Sequence, residues 1–361
     1  MHIAIISPYS LSKPGGVQDH CRELAKALFR KGHDVTLFGP ELRGEQEGLD
    51  GIGTVSLGRA INVPANGSIA PLGIDPTALV RLDLTLDAAD VVHVHEPFLP
   101  VGLMALARRP PNTAVVGTFH AAAEKFLPYA IAAPLLRRAS KRLDETTAAS
   151  PEARRLVRRY VAVDPIVVPN GVDCDSFAKA DPDPWASELG RVVLFVGRAE
   201  LRKDFETALR AFDTIKATRP DVHLVWIPAT DDEIPSGVSR DRLHALGPVS
   251  RERLMALHRA AEVVLCPSSG NESFGIVVLE GLAGSSAVLA ADIPGYRYAG
   301  GDAPVYVAAA DVNAWSDALA SLLDDDVRRA SVASRGPDRA ALFDWSLVAD
   351  QTIDVYERAL A

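Results

Sequence analysis

Short apolar runs alternate with amphipathic segments along most of this chain. Runs such as HIAIIS from His2 and AVVGTFH from Ala114 are typical of parallel strands that are buried on both faces. The segment that begins at Val17 has helical spacing instead, with Leu24 and Leu28 on one side. This alternation predicts an α/β fold in which helices join the strands of parallel sheets.

The strand-helix alternation starts twice, from His2 and again from Arg191, after the polar, Pro-rich segment DPDPW. The 361 residues suffice for two hydrophobic cores. We therefore predict two facing Rossmann-like domains with a ligand cleft between them, over residues 1–170 and 171–344. The amphipathic helix at 345–361 is expected to return to the first domain.

Composition restricts partners and compartment. The net charge of −9 argues against a broad nucleic-acid surface. The cysteines Cys21, Cys174 and Cys266 are odd in number and far apart, which argues against a disulfide framework and for a reducing compartment. The N-terminus is typical of a first strand, and no apolar stretch approaches the length of a membrane span. We expect a cytoplasmic protein with at most a weak peripheral membrane contact.

Two basic segments, PLLRRASKRLDE at 134–145 and PEARRLVRRY at 151–160, are predicted to be helices. Their cations fit either a solvated helix face or a contact with an anionic membrane. NGS at 66–68 is expected to be a polar loop. It fits a glycosylation acceptor pattern, which carries no meaning in the cytoplasm.

The stretch GNESFGIVVLEGLAG at 270–284 is the strongest candidate for chemistry. A polar loop leads into an apolar run that predicts a buried helix, whose first N–H groups suit a phosphate. Glu280 follows Glu272 by eight residues, and a carboxylate within an apolar helix needs a partner or a hydroxyl-bearing ligand. A helix cap with a carboxylate held by a structural arginine is the alternative.

Cations and glycines mark two further loops. Arg198, Arg202 and Lys203 crowd a strand-to-helix loop, which favours either a polyphosphate site or a solvated basic turn. Gly15 and Gly16 precede the first helix, where they let the backbone approach a ligand or simply form a tight turn.

Histidines accompany two of the predicted strands. His120 ends its strand, where open α/β sheets bind ligands, and we predict it to be a site residue. His93 and His95 fit either a structural role or a site. The sequence offers no convincing set of converging metal ligands, and DCD from Asp173 is interpreted as part of the interdomain turn.

Six motifs together resemble the glycosyltransferases of family 4, which have the GT-B fold. In chain order they are PGG at 14–16, HEP from His95, TFH ending at His120, PNGVD from Pro169, GR and RK between Gly197 and Lys203, and the glutamates Glu272 and Glu280. The first third is most similar to phosphatidylinositol mannosyltransferases, in SPYS, PGGVQDH and NGS, and in the TFH region through Lys125.

The resemblance implies a role for each matching position. Arg198 and Lys203 would bind the donor diphosphate, Glu272 the donor sugar and Glu280 the ribose, with His120 against the sugar. The implied catalytic residues are His120, Arg198, Lys203 and Glu272. The implied donor-binding residues are Gly15, Gly16, Arg202, Ser273, Phe274, Gly275, Ile276 and Glu280. The implied acceptor-binding residues are Tyr9, Gln18, Asn66, Ser68 and Lys125.

The implied reaction is the transfer of a hexose with retention of anomeric configuration, and GDP-mannose is the best choice of donor. The acceptor would be phosphatidylinositol or another lipid or polyol, and neither metal nor cofactor is expected. Where phosphatidylinositol enzymes have arginine, asparagine and a hydroxyl residue, this chain has Pro71, Phe98 and Ala121. These departures put phosphatidylinositol in question.

Four other functions stay open. A transferase could use a UDP-sugar and an acceptor without inositol, and a non-catalytic homologue could bind sugar nucleotides without turnover. A nicotinamide-dependent oxidoreductase is disfavoured because GxGxxG is missing. An epimerase would share the two-domain form. WIPAT at 226–230 replaces the glycine-containing strand end that is usual in the family, so the nucleotide pocket is expected to differ.

Overall fold

A computed structural model describes residues 1–12, 15–42, 49–65, 68–122, 127–270 and 272–361, with the backbone alone at 64, 65, 68 and 69. The chain divides into two compact units. The first consists of residues 1–171 and 345–361, and the second of residues 172–344.

The first unit contains nine strands and six helices among its described residues. The strands are β1 (His2–Ile6), β2 (Asp34–Gly39), β3 (Gly53–Ser56), β4 (Ala60–Ala65), β5 (Ser68–Gly73), β6 (Val91–His95), β7 (Ala114–Phe119), β8 (Glu145–Ala148) and β9 (Ile166–Val167). The helices are α1 (Gly16–Arg30), α2 (Thr77–Thr85), α3 (Pro100–Ala107), α4 (Leu127–Ser140), α5 (Pro151–Tyr160) and the C-terminal helix (Trp345–Leu360).

Seven strands of this unit form a parallel sheet in the order β3-β2-β1-β6-β7-β8-β9, and β4 and β5 form a separate antiparallel hairpin. The strand order reverses direction at β1, so the loops after β1 and β6 lie on either side of a switch point. Ligands of open α/β sheets bind there, at the carboxyl ends of the strands.

The second unit contains six strands and nine α-helices among its described residues. The strands are β10 (Arg191–Val196), β11 (Val222–Ile227), β12 (Leu243–Ala245), β13 (Val263–Cys266), β14 (Ala287–Ala291) and β15 (Val305–Val307). The helices are α6 (Cys174–Lys179), α7 (Pro184–Leu189), α8 (Phe205–Ile215), α9 (Arg251–Ala260), α10 (Ile276–Ala283), α11 (Pro294–Gly300), α12 (Val312–Asp324), α13 (Asp326–Ala333) and α14 (Gly336–Ala341), of which α6, α7 and α14 have six residues each.

The strands of the second unit form one parallel sheet in the order β12-β11-β10-β13-β14-β15. This is the Rossmann order, with its switch point between β10 and β13. The four inner strands are fully buried over most of their length, as the continuous apolar runs predict. The prediction of an α/β fold with two Rossmann-like sheets is confirmed.

The last helix, α15 (Trp345–Leu360), belongs to the first unit. Its buried residues Trp345, Val348 and Tyr356 join one core with Ile3 of β1 and Leu24 of α1. Because that apolar face has its partners in the first unit, the helix returns there, as the fold prediction required.

Two segments differ from their predicted secondary structure. The basic segment at 134–145 was predicted as one helix, but α4 spans 127–140 and Glu145 begins β8. Thr147 and Ala148 of β8 are buried between neighbouring strands, so tertiary pairing decided the structure there. The weakly patterned region before residue 80 contains β3 and the β4–β5 hairpin, and Ser68 lies in a strand.

The three cysteines are free thiols, as predicted. Among the helices that the structure describes, none is both long enough and apolar enough to cross a membrane.

Candidate functional site

A network of five charged residues lies at the switch point of the second sheet. The loop after β10 supplies Arg198, Glu200, Arg202 and Lys203, and the loop after β13 supplies Glu272. The carboxyl ends of these two neighbouring strands meet at one edge of the sheet, which brings the loops together. The backbone N–H of Ser269 also donates to the carbonyl of Arg202, at 3.1 Å, and fastens one loop to the other.

Carboxylates alternate with cations through this network. Glu200 lies 3.1 Å from Arg198 Nε and 3.0 Å from Arg202 Nε, through its two oxygens. One oxygen of Glu272 accepts from Arg202 Nη1 at 2.5 Å and from Lys203 Nζ at 2.6 Å. The three predicted cations therefore do meet, but two carboxylates partly neutralise them. Three positive and two negative charges leave a net charge of +1.

The protonation of Glu272 follows from these contacts. Burial alone would raise the pKa of its carboxyl group, but Lys203, Arg202 and Arg198 together hold that pKa below the ordinary value. Glu272 is therefore ionised at neutral pH. Arg202 is held between two carboxylates, whereas the Arg198 side chain is about half exposed and is the most accessible of the three cations.

The helix α10 begins at Ile276, four residues after Glu272, without a capping side chain at its N-cap residue, Gly275. Gly275 has φ 105°, and a Cβ atom there would lie 2.5 Å from the ring of Tyr296, so glycine is required. The start of this helix is as predicted. The N–H of Val278 already donates to Gly275 O at 3.0 Å, so the N–H groups of Ile276 and Val277 are the ones in position to bind an anion.

The side chains around this helix start serve different purposes. Phe274 is buried against Tyr298 and Phe343, so its side chain belongs to the core and only its backbone is available to a ligand. Ser273 is half buried. Gly270 in the preceding loop has φ 135°, a conformation that favours glycine.

Glu280 is buried on α10 and accepts from Arg251 Nη1 at 2.5 Å. His258 lies behind it, with Nε2 4.0 Å from the second carboxylate oxygen. Glu280 is therefore a carboxylate held by an arginine, which is the alternative that the sequence left open. The ribose contact that the resemblance implies stays a prediction.

Four histidines lie together in the first unit, on α1 and at the ends of β6 and β7. The rings of His20, His95 and His120 are 4.8–5.2 Å apart, and His93 packs on His95. His95 Nδ1 lies 2.9 Å from His120 Nε2. Burial holds the pKa of His95 and His120 well below the ordinary value, so both imidazoles are neutral at neutral pH.

His93 has a structural role. Its Nδ1 lies 2.7 Å from the hydroxyl of Tyr356 on α15, and its Nε2 lies 2.5 Å from Thr118 Oγ1 on β7. These bonds connect two strands and the C-terminal helix. The sequence left a structural role or a site role open for His93 and His95. His93 has the structural role, whereas His95 forms a hydrogen bond with the predicted site residue His120.

Among the described residues, one group of three histidines could hold a metal ion. His20, His95 and His120 each offer a ring nitrogen within 4.8 Å of the others, and no other group of three or more such ligands occurs in the described ranges. Because His95 and His120 are joined by a hydrogen bond, a metal would have to displace it. Asp173 of the DCD segment instead caps α6, accepting from the backbone N–H of Ser176 at 2.9 Å.

The loop after β1 lies beside the β4–β5 hairpin. Ser10 N–H donates to Pro71 O at 2.8 Å, and Tyr9 pairs with Leu72 as an isolated bridge. These contacts connect Tyr9 to the strand that contains Ser68, and two of the predicted acceptor residues are therefore on adjoining segments. Asn66 and Lys125 lie outside the described residues.

The glycine pair at the start of α1 packs against Gln18. Gly15 has an extended backbone, and a Cβ atom there would lie 2.5 Å from Gln18 Oε1. Gly16 is exposed and is the first residue of the helix. The buried Gln18 carboxamide thus occupies the space that a side chain at position 15 would need.

The three residues that depart from the phosphatidylinositol pattern, Pro71, Phe98 and Ala121, each contact a neighbouring segment of the first unit. Pro71 supplies its carbonyl to the Ser10 contact, and Phe98 is buried against Phe119 and Tyr129. The backbone N–H of Ala121 donates to Glu96 Oε1 at 2.8 Å.

Sequence reasoning missed several residues that shape these loops. Glu96 accepts from the backbone N–H of His120, and Trp226 Nε1 donates to Gly197 O at 2.7 Å. Glu200 and Arg251 complete the two charged contacts described above. In the sequence, the signals for Glu96 and Trp226 are the glutamate of HEP and the tryptophan of WIPAT.

Two family models match consecutive parts of the chain. The model described as Glycosyltransferase Family 4 matches residues 14–176, and the model described as Glycosyl transferases group 1 matches residues 179–339.

Curated relatives align over almost the whole chain. A phosphatidyl-myo-inositol mannosyltransferase from Mycolicibacterium smegmatis is 35% identical, over 99% of this chain and 94% of the relative. A phosphatidyl-myo-inositol mannosyltransferase from Propionibacterium freudenreichii is 32% identical, over 99% of this chain and 94% of the relative. A D-inositol 3-phosphate glycosyltransferase from Xylanimonas cellulosilytica is 30% identical, over 99% and 95%.

Solved structures share the fold at lower identity. Sucrose-phosphate synthase from Thermosynechococcus elongatus superposes with a TM-score of 0.74 at 22% identity, covering 99% of this chain and 98% of the other. HepE from Anabaena, solved in complex with UDP and glucose, superposes with a TM-score of 0.75 at 17% identity, covering 99% of each.

Proposed function

The chain belongs to glycosyltransferase family 4, and on that premise we propose that it transfers mannose from GDP-mannose to a hydroxyl group of an inositol-containing lipid or another polyol. The observation that carries the proposal is the charge network around Glu272, beside the uncapped start of α10. Cations and free helix N–H groups are the donors that a nucleotide diphosphate requires.

Arg198 and Lys203 stabilise the diphosphate as it leaves. Negative charge grows on the leaving oxygen, and fixed cations near that oxygen lower the barrier most when the charge is greatest. The diphosphate would compete with the Glu272 carboxylate for Lys203, which frees Glu272 to accept from hydroxyl groups of the donor sugar. Glu280 contacts the ribose, and Arg251 moves aside.

The reaction retains the configuration of the anomeric carbon. The bond between that carbon and the diphosphate oxygen breaks, and the acceptor oxygen attacks on the same face while its proton passes to the leaving diphosphate. His120, which is neutral, hydrogen-bonds to the sugar beside the reaction centre. The three cations of the network take the part that a divalent metal has in other transferases, so we propose that no metal or cofactor is required.

The acceptor proposal is supported by the relatives. The names of the mannosyltransferases and of the D-inositol 3-phosphate glycosyltransferase both include inositol. Tyr9, Gln18 and Ser68 would bind the acceptor, together with Asn66 and Lys125. Pro71 cannot provide the cationic contact of an arginine, so we expect recognition of the lipid phosphate to be weaker than that of the inositol hydroxyls.

A weak peripheral membrane contact would bring a lipid acceptor to the enzyme. Leu127, Ile131 and Leu135 are spaced by four residues on α4, and their exposed fractions are 70%, 75% and 59%. The segment from Leu127 to Arg142 contains four cations and no acidic residue, in a chain of net charge −9. An apolar stripe with adjacent cations suits an anionic bilayer surface.

The alternative donor is a UDP-sugar, as in the HepE complex with UDP and glucose. Transfer assays separate these possibilities. We expect radiolabelled mannose to pass from GDP-mannose to phosphatidylinositol vesicles or to free myo-inositol, without loss of rate in EDTA and with an α-linkage by NMR. Transfer from UDP-glucose alone would contradict the mannosyl assignment. An absence of both transfer and donor hydrolysis would indicate a non-catalytic homologue.

A further inference from the structure

Glu96, the residue after β6, is held in an unusual conformation. It has φ 47°, in the left-handed region that residues other than glycine rarely adopt, and only 4% of it is exposed. Strained backbone of this kind persists only where the surroundings fix it, and it is concentrated at functional sites. Glu96 therefore requires an explanation beyond the packing of a loop.

The carbonyl oxygen of Glu96 accepts from the backbone N–H of Leu99, whereas the N–H and the carboxylate of Glu96 both contact the end of β7. Its backbone N–H donates to Thr118 O at 2.8 Å. Its Oε1 accepts from the backbone N–H groups of His120 and Ala121, at 2.7 and 2.8 Å. One carboxylate oxygen that binds two successive amides fixes the path of the chain through His120 with charge-assisted hydrogen bonds.

The preceding residue holds the side chain of the same histidine. His95 Nδ1 lies 2.9 Å from His120 Nε2. The other ring nitrogen of His120, Nδ1, has no hydrogen-bond partner among the residues that the structure describes, and it is the one that a ligand could use. The dipeptide His95–Glu96 thus determines both the backbone and the ring orientation of His120. The left-handed conformation of Glu96 lets the two adjacent side chains reach one residue.

We propose that Glu96 is a positioning residue of the transferase, which holds His120 against the transferred sugar by binding the backbone of residues 120 and 121. The inference rests on the proposed function, because it requires His120 to contact that sugar. It predicts that loss of the carboxylate slows the transfer step and leaves donor binding unchanged, because the charge network that binds the diphosphate is in the second unit.

Kinetics of Glu96→Gln and Glu96→Ala test this inference. The amide of glutamine keeps one acceptor oxygen without charge, so we expect kcat to fall about tenfold in Glu96→Gln and at least about a hundredfold in Glu96→Ala. The calorimetric Kd for the donor should change less than about twofold. Hydrogen exchange should accelerate at the amides of residues 120 and 121, which lose their acceptor.

Asp144→Asn is a matched control. Asp144 Oδ2 also accepts a backbone N–H of β7, from Val115 at 2.7 Å, but at the opposite end of the strand from His120. Its substitution should lower the melting temperature without lowering kcat per folded molecule.

A double variant distinguishes positioning from a general structural role. If Glu96 acts through His120, then Glu96→Ala combined with His120→Ala should be no slower than His120→Ala alone. Additive losses, or an unchanged kcat in Glu96→Ala, would overturn the inference. If His120→Ala itself kept full kcat, the proposed role of His120 would be wrong, and the positioning role of Glu96 would be overturned with it.

Discussion

Trp226 donates its indole N–H to the carbonyl oxygen of Gly197 at 2.7 Å, across the carboxyl ends of β11 and β10. Gly197 is the residue before Arg198, so this bond anchors the loop that carries the three cations. The indole is buried between Phe195 and Phe205, which keeps its N–H direction fixed. Trp226 thus supports the loop that contains Arg198, Arg202 and Lys203.

Trp226→Phe should weaken donor binding. The substitution keeps the stacked aromatic ring and leaves the Gly197 carbonyl without its buried donor, at a cost of about 1 kcal/mol in the free energy of unfolding. We expect the donor Kd to rise by about five- to tenfold, as measured by calorimetry.

Trp315→Phe provides the comparison, because Trp315 Nε1 donates to Ala308 O in the same unit. It should lose similar stability with an unchanged Kd. Equal effects of both variants on Kd would mean that the Trp226 contact serves stability alone.

The buried histidines predict how stability depends on pH. Burial lowers the pKa of His20 to about 4 and that of His93 to about 3, from an ordinary value of 6.5. In the unfolded chain both groups titrate near 6.5, so below that pH the unfolded state binds more protons than the folded state. The stability that neutral histidines contribute is complete above pH 6.5 and is lost as the pH falls.

Urea denaturation between pH 7 and pH 5 measures this effect. We expect a loss on the order of 2 kcal/mol for each fully buried histidine. Burial raises the pKa of the Glu96 carboxyl group, so the contribution of Glu96 to the free energy of unfolding increases as the pH falls and opposes the loss from the histidines. The variant His20→Asn should show a shallower dependence on pH than the wild type. A free energy of unfolding that stays constant over this range would show that the histidines are not buried as neutral groups.

The exposed stripe on α4 predicts binding to anionic vesicles. Ile131→Ser with Leu135→Ser removes two side chains whose partial burial in a bilayer is worth about 2 kcal/mol. We expect sedimentation with phosphatidylglycerol vesicles to weaken at least tenfold, and binding to neutral phosphatidylcholine vesicles to be weak throughout.

The matched double variant is Val80→Ser with Leu84→Ser on α2, where the exposed apolar pair lies among acidic residues, Asp83 and Asp87. It should bind as the wild type does. Loss of binding in this variant alone would assign the membrane contact to α2.

Local patterns were sufficient to predict much of the fold. Continuous apolar runs predicted strands such as β1, β7 and β10, and the glycine before an apolar run predicted the start of α10. Position at a strand end was enough to select His120 and to place the cation loop at the sheet edge. These features depend on residues that are close together in sequence.

The partners of the site residues could not be predicted in the same way. Glu96 and His120 are 24 residues apart, Arg251 and Glu280 are 29 apart, and Arg202 and Glu272 are 70 apart. Their contacts depend on the register between strands and on loop conformations, including the left-handed backbone of Glu96. The sequence for this reason predicted a loop of three cations, as a polyphosphate site or a solvated basic turn, without the carboxylates that partly neutralise them in the structure.

The most direct test of the proposed donor site is a calorimetric titration of the wild type, Arg198→Ala and Lys203→Ala, at matched salt. The titrants are GDP-mannose, UDP-glucose, UDP-N-acetylglucosamine and NADH. Arg210→Ala is the control, because Arg210 is an exposed cation of α8 in the same unit.

We expect the wild type and Arg210→Ala to bind GDP-mannose most tightly. Arg198→Ala and Lys203→Ala should each lose at least tenfold in affinity, and about a hundredfold or more in turnover. Preference for a UDP-sugar would keep the transferase and its charge network but overturn the mannosyl assignment. Binding of NADH alone, or donor binding that is unchanged in both variants, would contradict the proposed donor site.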